Sequence, residues 1–319
     1  MLTRLTASLT LPMIGSPMFI VSGPELVIAQ CQAGILGAFP ALNARPADVL
    51  REWLQQITQT LADYDEQHPD KPSAPFAVNQ IVHPTNDRLE HDVALCAEFK
   101  VPLVITSLHA PNQVVEKVHA YGGLVFHDVT TLRHAKKAID AGVDGLILVC
   151  HGAGGHAGRL NPFAFVAEVR RFYDGPLVLA GAISKGEQIV AAQALGVDLV
   201  YMGTRFIATQ EANAQAAYKR MVLDAAAGDI VYTNLFTGVH GNYLRQSIEQ
   251  AGLDPDALPE GDKTAMRYGS GGSSKAKAWR DIWGAGQGVG GIASMRSVAE
   301  EVATLRADYQ KALDQFRRL

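Results

Sequence analysis

The sequence predicts a (β/α)8 barrel carrying an appended, mostly helical C-terminal region. Three observations lead there. Short aliphatic runs alternate with helical patterns along the first two thirds of the 319-residue chain, and eight such runs are complete by residue 203. The runs are continuously apolar, as expected of parallel strands covered on both faces. An open, doubly wound sheet is the alternative, and it seldom repeats so evenly up to eight.

The elements follow in order. PMIGSPMFI (12–20) reads as the first strand and GPELVIAQCQAG (23–34) as its helix; ILGAFPA (35–41) and ADVLREWLQQITQTL (47–61) repeat the pair. DYDEQHPDKPSAP (63–75) reads as a polar loop. PFAVNQIV, VPLVITSL, GLVFHDV, VDGLILVC, PLVLAGAI and VDLVYMGT supply the other six strands. Several of the intervening helical patterns end in Gly, the residue that most cheaply adopts the left-handed cap. After Ala208 the rhythm breaks. EANAQAAYKRMVLDAAAG (211–228) and NYLRQSIEQAG (242–252) read as helices, DIVYTNLF (229–236) as a strand or extended link, and RYGSGGSSKAK (267–277) as a flexible loop. Val298, Val302, Leu305, Tyr309, Ala312 and Phe316 form an apolar stripe on a last helix, read as packing on the barrel.

Composition narrows the function classes. With 48% hydrophobic residues there is ample material for a core. Lys and Arg number 28 against 32 Asp and Glu, without a basic run to track a phosphate backbone, so nucleic acid is set aside as a partner. No stretch reaches the roughly 18 apolar residues that a membrane helix needs, and no membrane partner is expected. Cys31, Cys96 and Cys150 are widely spaced in apolar segments, which fits a reducing, cytoplasmic setting. No familiar metal-ligand spacing is present, so no metal is expected.

In a barrel the chemistry sits just after the strands, at their carboxyl ends. LAGAIS (179–184) and YMGTRF (201–206) end the seventh and eighth strands, where backbone amides at Gly181, Ala182, Gly203 and Thr204 are placed to hold a phosphate. HGAGGHAG (151–158) follows the sixth strand; its glycines let backbone pass close to a ligand while His156 projects over the part that reacts. His151 abuts the strand and is read as a backbone partner, and Cys150 as packing rather than a nucleophile. Asn79 and Gln80 stand at the end of the third strand, as heterocycle-pairing amides or helix caps. His127 follows the fifth strand, beside a ligand that gains negative charge, with Asp128 read as an N-cap.

These residues carry a family resemblance. SPMFIVSGPELVIAQCQAGILGAF, FAVNQIV, GAGGHAG, AGAISKGEQIVAAQALGVDLVYMGTRFIATQEA and GQGVG together resemble the nitronate monooxygenase family, from about Leu11 to Ala212 and again near Gly284. The resemblance implies an FMN-binding barrel over 1–209 plus parts of 284–319, with a helical lid or substrate region over 210–283. It implies that Ser16, Pro17 and Met18 run along the flavin, that Asn79 and His127 contact it, and that Gly154, Gly155, Gly181, Ala182, Gly203, Thr204 and Gln287 of GQGVG help bind it. His156 matches the family's active-site histidine. The implied reaction takes a nitronate and O2 to a carbonyl compound and nitrite. Many relatives carry Lys where this chain has His127, and a second Gly where it has Ala182. The family also contains NAD(P)H:quinone reductases and is similar to flavin-dependent enoyl reductases, so NAD(P)H is a further partner to test. The resemblance accommodates either a monomer or a homodimer.

Overall fold

Each barrel strand divides its side chains between two cores, and that division positions the site. The computed structural model describes residues 2–262 and 282–318. Eight parallel strands follow one another around a ring: β1 (Met13–Gly15), β9 (Leu199–Met202), β8 (Leu177–Ala180), β6 (Gly145–Val149), β5 (Leu124–Val129), β4 (Leu103–Leu108), β3 (Phe76–Val82) and β2 (Gly37–Pro40). The ring closes between β1 and the start of β2. Gly15 N–H donates to the Leu36 carbonyl (2.7 Å), and Leu36 N–H to that of Met13 (3.2 Å).

Ile14, Ala38, Ala77, Leu103, Ile105, Phe126, Ile147, Val178 and Leu199 fill the inside of the barrel. Their strand neighbours Met13, Phe39, Val78, Val104, Val125, Leu146, Leu148, Leu177, Leu179 and Val200 face the helices instead. This two-residue alternation decides which side chain at each strand end looks into the mouth.

The helical layer consists of α2 (Pro24–Gln32), α3 (Val49–Gln67), α4 (Leu89–Glu98), α5 (Asn112–Ala120), α6 (Leu132–Asp140), α7 (Pro162–Val169) and α8 (Gly186–Ala194), preceded by the short α1 (Leu2–Thr6). Helix α3 continues to Gln67, into the stretch read as a polar loop. Its last turns face solvent, and Gln59 donates to Asp63 one turn on (2.7 Å). The final helix, α12 (Val298–Phe316), lays its stripe on the barrel as expected. Val298, Val302 and Leu305 are buried, whereas Phe316 stays exposed. Gly186 is where α8 meets this helix, since a Cβ there would lie 2.2 Å from Tyr309 N.

The region after the barrel contains α9 (Thr204–Ile207), α10 (Ala216–Asp224), β10 (Ile230–Thr233), β11 (Gly241–Leu244) and α11 (Arg245–Gln250). Asn242, Tyr243 and Leu244, read as the start of a helix, are strand; the helix begins only at Arg245. Strand β11 pairs with β10 on one side and, on the other, with β7 (Gly155–His156) in the glycine-rich loop. A distant partner therefore overrides the local helical pattern. The stretch 267–277, read as a flexible loop, lies outside the described residues. No described helix is long and apolar enough to cross a membrane.

Candidate active site

A cavity of about 610 Å³ opens at the carboxyl ends of the barrel strands, within the roughly 300–1,000 Å³ typical of small-molecule and cofactor sites. Ser16, Pro17 and Met18 line it after β1, Asn79 on β3, Gly154, Gly155 and His156 after β6, Gly181 and Ala182 after β8, and Gly203 and Thr204 after β9. Residues far apart in the chain thus share one mouth.

The turns after β8 and β9 present unspent donors. Among the described residues no backbone carbonyl accepts the N–H of Gly181, Ala182 or Gly203. Gly181 has φ +139°, and a Cβ there would lie 2.9 Å from the His151 carbonyl, so the chain must be bare at that point. The Thr204 hydroxyl accepts from Gly286 N–H (2.9 Å), which leaves its own proton available to a ligand. Backbone strain gathers at the same place. Of the four described non-glycine residues at positive φ, three line the cavity: Ile20 (+67°), Leu108 (+82°) and Ala182 (+55°).

Behind these turns Arg205 acts as a strut. Buried, it donates to the Ser184 carbonyl (2.7 Å) and the Gly291 carbonyl, and pairs with buried Glu301 of α12. One guanidinium therefore ties the β8 turn, the 287–291 turn and the last helix together. It sits inside the MGTRF block, but only the three-way contact shows its task.

His156 occupies β7, held in register opposite Gly241. Its Nε2 lies 3.0 Å from Thr237 Oγ1, and that hydroxyl donates to the Val239 carbonyl (2.9 Å). In the tautomer whose Nε2 donates to Thr237, the lone pair of the neutral ring resides on Nδ1. Burial pushes the pKa of His156 down to about 4, which keeps the ring neutral near pH 7. The loop is fixed on both flanks: Asn242 Nδ2 donates to the Ala153 carbonyl (2.7 Å) and Tyr232 Oη to that of Ala157 (2.9 Å). Gly286 packs on it so closely that a Cβ would lie 2.5 Å from the Gly152 carbonyl.

Three expected residues stand elsewhere. His127 does not line the cavity. It shares the outward face of β5, is buried, and is hydrogen-bonded to Thr106 Oγ1 through Nδ1 (2.7 Å). Burial, with His134 adding a smaller effect, lowers its pKa to about 4. Its neighbour Asp128 is the β5 residue that faces the mouth, because it shares the face of Phe126. Asp128 is not an N-cap either; Thr131 caps α6 by accepting from His134 N–H. Gln287 is also away from the cavity wall: its N–H holds the Gly152 carbonyl (2.9 Å), and its side chain lies against Gly152. Gln80 faces the helices and donates to Cys96 Sγ. Cys150 is buried, and burial raises its thiol to about 12, as suits packing.

On the floor, Asn79 Nδ2 donates to Ser107 Oγ (2.9 Å), and Ser107 Oγ donates to Asp128 Oδ2 (2.7 Å). Asp128 Oδ1 and the Tyr201 hydroxyl are both enclosed without a partner among the described residues. Across the mouth the walls are apolar. Tyr218 and Trp283 stack with centroids 5.0 Å apart, and Phe236, Val239 and Ile207 continue that surface. Free amides suit a phosphate, and the aromatic wall suits a small apolar substrate. The residues present fit a flavin nucleotide.

Fold and mouth together define a (β/α)8-barrel enzyme with its site at the strand ends. More particularly, the chain belongs to the nitronate monooxygenase family, whose sequence profile matches residues 3–308, and it is a flavin-dependent oxidoreductase. A nitronate monooxygenase of Paraburkholderia phytofirmans is 27% identical, with 96% of this chain and 94% of that protein covered. The nitroalkane oxidase of Streptomyces ansochromogenes superposes with a TM-score of 0.79 at 25% identity over 99% of both chains. FabK from Thermotoga maritima, at 24% identity and a TM-score of 0.77 over 99% of this chain and 97% of its own, shares the fold.

Proposed function

We propose that the protein oxidises alkyl nitronates with O2 on a bound FMN, releasing a carbonyl compound and nitrite. The observation that carries this reading is His156, an imidazole on the cavity wall that burial keeps neutral. In that state the ring accepts a proton, so it converts a neutral nitroalkane to its anion by taking the proton from the carbon that bears the nitro group. FMN, when bound, would supply the redox chemistry between the nitronate and O2.

The chain's own residues do the rest. The amides of Gly181, Ala182 and Gly203, with the Thr204 hydroxyl, would hold the phosphate of a flavin nucleotide. Ser16, Pro17, Met18, Asn79, Gly154 and Gly155 would line the rest of its site. Phe236, Val239 and the Tyr218–Trp283 stack exclude water from the substrate side.

The test is to release the flavin from purified protein, identify it by mass, and assay turnover with propionate 3-nitronate and with neutral 2-nitropropane. The reading predicts FMN, O2 uptake and nitrite. Release of FAD, or rapid NADH- or NADPH-dependent quinone reduction without nitrite from any nitronate, overturns it in favour of a reductase.

A further inference from the structure

We propose that Ile20 determines substrate specificity: held on the cavity wall by a strained turn, its side chain covers an apolar tail of the nitronate, so that longer unbranched alkyl nitronates are preferred to short ones. This rests on the nitronate reading above.

The strain lies in the turn between β1 and α2. Ile20 has φ +67°, where a β-branched side chain crowds its own backbone and glycine would not. The conformation is imposed from outside. Ile20 N–H donates to Asn43 Oδ1 (3.0 Å) and the Ile20 carbonyl accepts from Asn213 Nδ2 (3.1 Å), so both of its backbone polar groups are held. Asn43 Nδ2 also donates to the carbonyls of Met18 (3.0 Å) and Ser22 (2.8 Å), and Asn213 N–H to that of Val21 (3.0 Å). Met18 N–H donates to Ser22 Oγ (2.9 Å) and Ser22 N–H to the Met18 carbonyl (3.0 Å), which closes the turn on itself. Asn43 follows β2 and Asn213 follows the barrel, so two separate parts of the molecule grip one residue.

What the strain secures is a side chain. Glycine would make the same backbone hydrogen bonds at less cost, yet the position carries isoleucine, which lines the cavity and is 40% exposed. A lone exposed isoleucine is ordinary. One fixed in a strained conformation on a cavity wall marks apolar surface kept for a ligand to cover. Ile20 and His156 line one cavity but follow β1 and β6, strands separated in the ring by β9 and β8. A nitronate whose reacting carbon meets His156 therefore reaches Ile20 with its tail. That tail is apolar rather than charged, because Met18, Phe19, Val21 and Leu42 line the same cavity. Arg45, which also lines it, spends its Nε on the Leu42 carbonyl (2.9 Å) and its face on the Phe19 ring.

The test compares flavin-loaded wild type, Ile20→Ala and Ile20→Gly on primary unbranched alkyl nitronates from ethyl to hexyl. Ala trims the side chain and keeps the strain, whereas Gly removes both. A methylene that leaves water strengthens binding by up to about fourfold, so wild-type kcat/KM should climb along the series. In the variants the hexyl-to-ethyl ratio of kcat/KM should fall by about tenfold, the worth of roughly two methylenes. A ratio within about twofold of wild type in the variants overturns the proposal. Melting temperatures read the strain separately. Ala ordinarily ranks above Gly, but at this position Ile20→Gly should melt above Ile20→Ala, and the reverse order overturns the strained turn and the proposal with it. Glycine suits the turn, so Ile20→Gly decides alone should Ile20→Ala fail to fold. If none of the proteins oxidises any nitronate, the nitronate reading falls and calorimetric titration of the same anions into the full chain judges Ile20 by itself. Affinity that climbs with chain length in wild type but not in the variants supports its role, and parallel or absent binding overturns it.

Discussion

His156 is neutral because burial strips from it the water that an imidazolium needs. Replacing His156 by Asn keeps the Thr237 contact in reach and removes the base. Turnover of neutral nitroalkanes should then fall by about 10²- to 10⁴-fold in kcat/KM, with a smaller loss for preformed nitronates and no loss of flavin. Equal losses with both substrate forms would indicate that the ring only positions its substrate. A base must be unprotonated to work, and here the proton is lost above about pH 4. The wild-type kcat/KM profile should therefore be flat through the ordinary histidine range near about 6.5 and fall only on approach to pH 4; a limb centred near 6.5 would contradict this. Ala182 illustrates strain at the same scale. At φ +55° its Cβ costs about 1–2 kcal/mol, more than the roughly 0.5–1 kcal/mol that Gly forfeits in the unfolded chain. Ala182→Gly should raise the melting temperature by a net gain under about 1 kcal/mol, read by thermal denaturation, and a lowered melting temperature would contradict the strain. These residue-level facts were partly legible. The glycines and His156 stand out in the chain, but the two-residue period of β5, which turns Asp128 in and His127 out, becomes decisive only once Phe126 is known to be inside.

At the scale of elements, the turns that would hold a phosphate are not self-supporting. Arg205 fastens them to α12 through Ser184, Gly291 and Glu301, all from a buried position. Removing one partner of a buried pair leaves the other charge uncompensated and costs about 3–5 kcal/mol. Arg205→Ala should therefore lower the chemical-denaturation midpoint strongly and weaken flavin retention. Loss of under about 1 kcal/mol would mean that the strut carries little. The strand and helix runs were legible because each pairs with near neighbours in sequence. The β7–β11 pairing was not: Gly155 and His156 after β6 meet Asn242 and Gly241 far along the chain, and NYL reads as helix until that partner is known.

Across the whole molecule, the barrel supplies a rigid ring and the region after it closes one side of the mouth. His156 lies where the two join. It sits in a barrel loop, yet its strand partner is Gly241, and its ring contact, Thr237, comes from the same later region. The appended region is thereby part of the site, contributing Tyr218, Phe236, Thr237, Val239 and Trp283 to the cavity wall. Barrel class could be read from repetition alone, since eight buried parallel strands leave an unbroken apolar signature. The composite wall could not, because its members are ordinary aromatic and aliphatic residues whose task is defined by what they face. Anaerobic mixing of the flavin-loaded protein with propionate 3-nitronate, followed at the flavin's visible band, tests the central claim most directly. The account predicts prompt bleaching by the nitronate and none, or far slower bleaching, by NADH or NADPH. A flavin that stays oxidised with every nitronate tried, but bleaches at once with a nicotinamide, would contradict it.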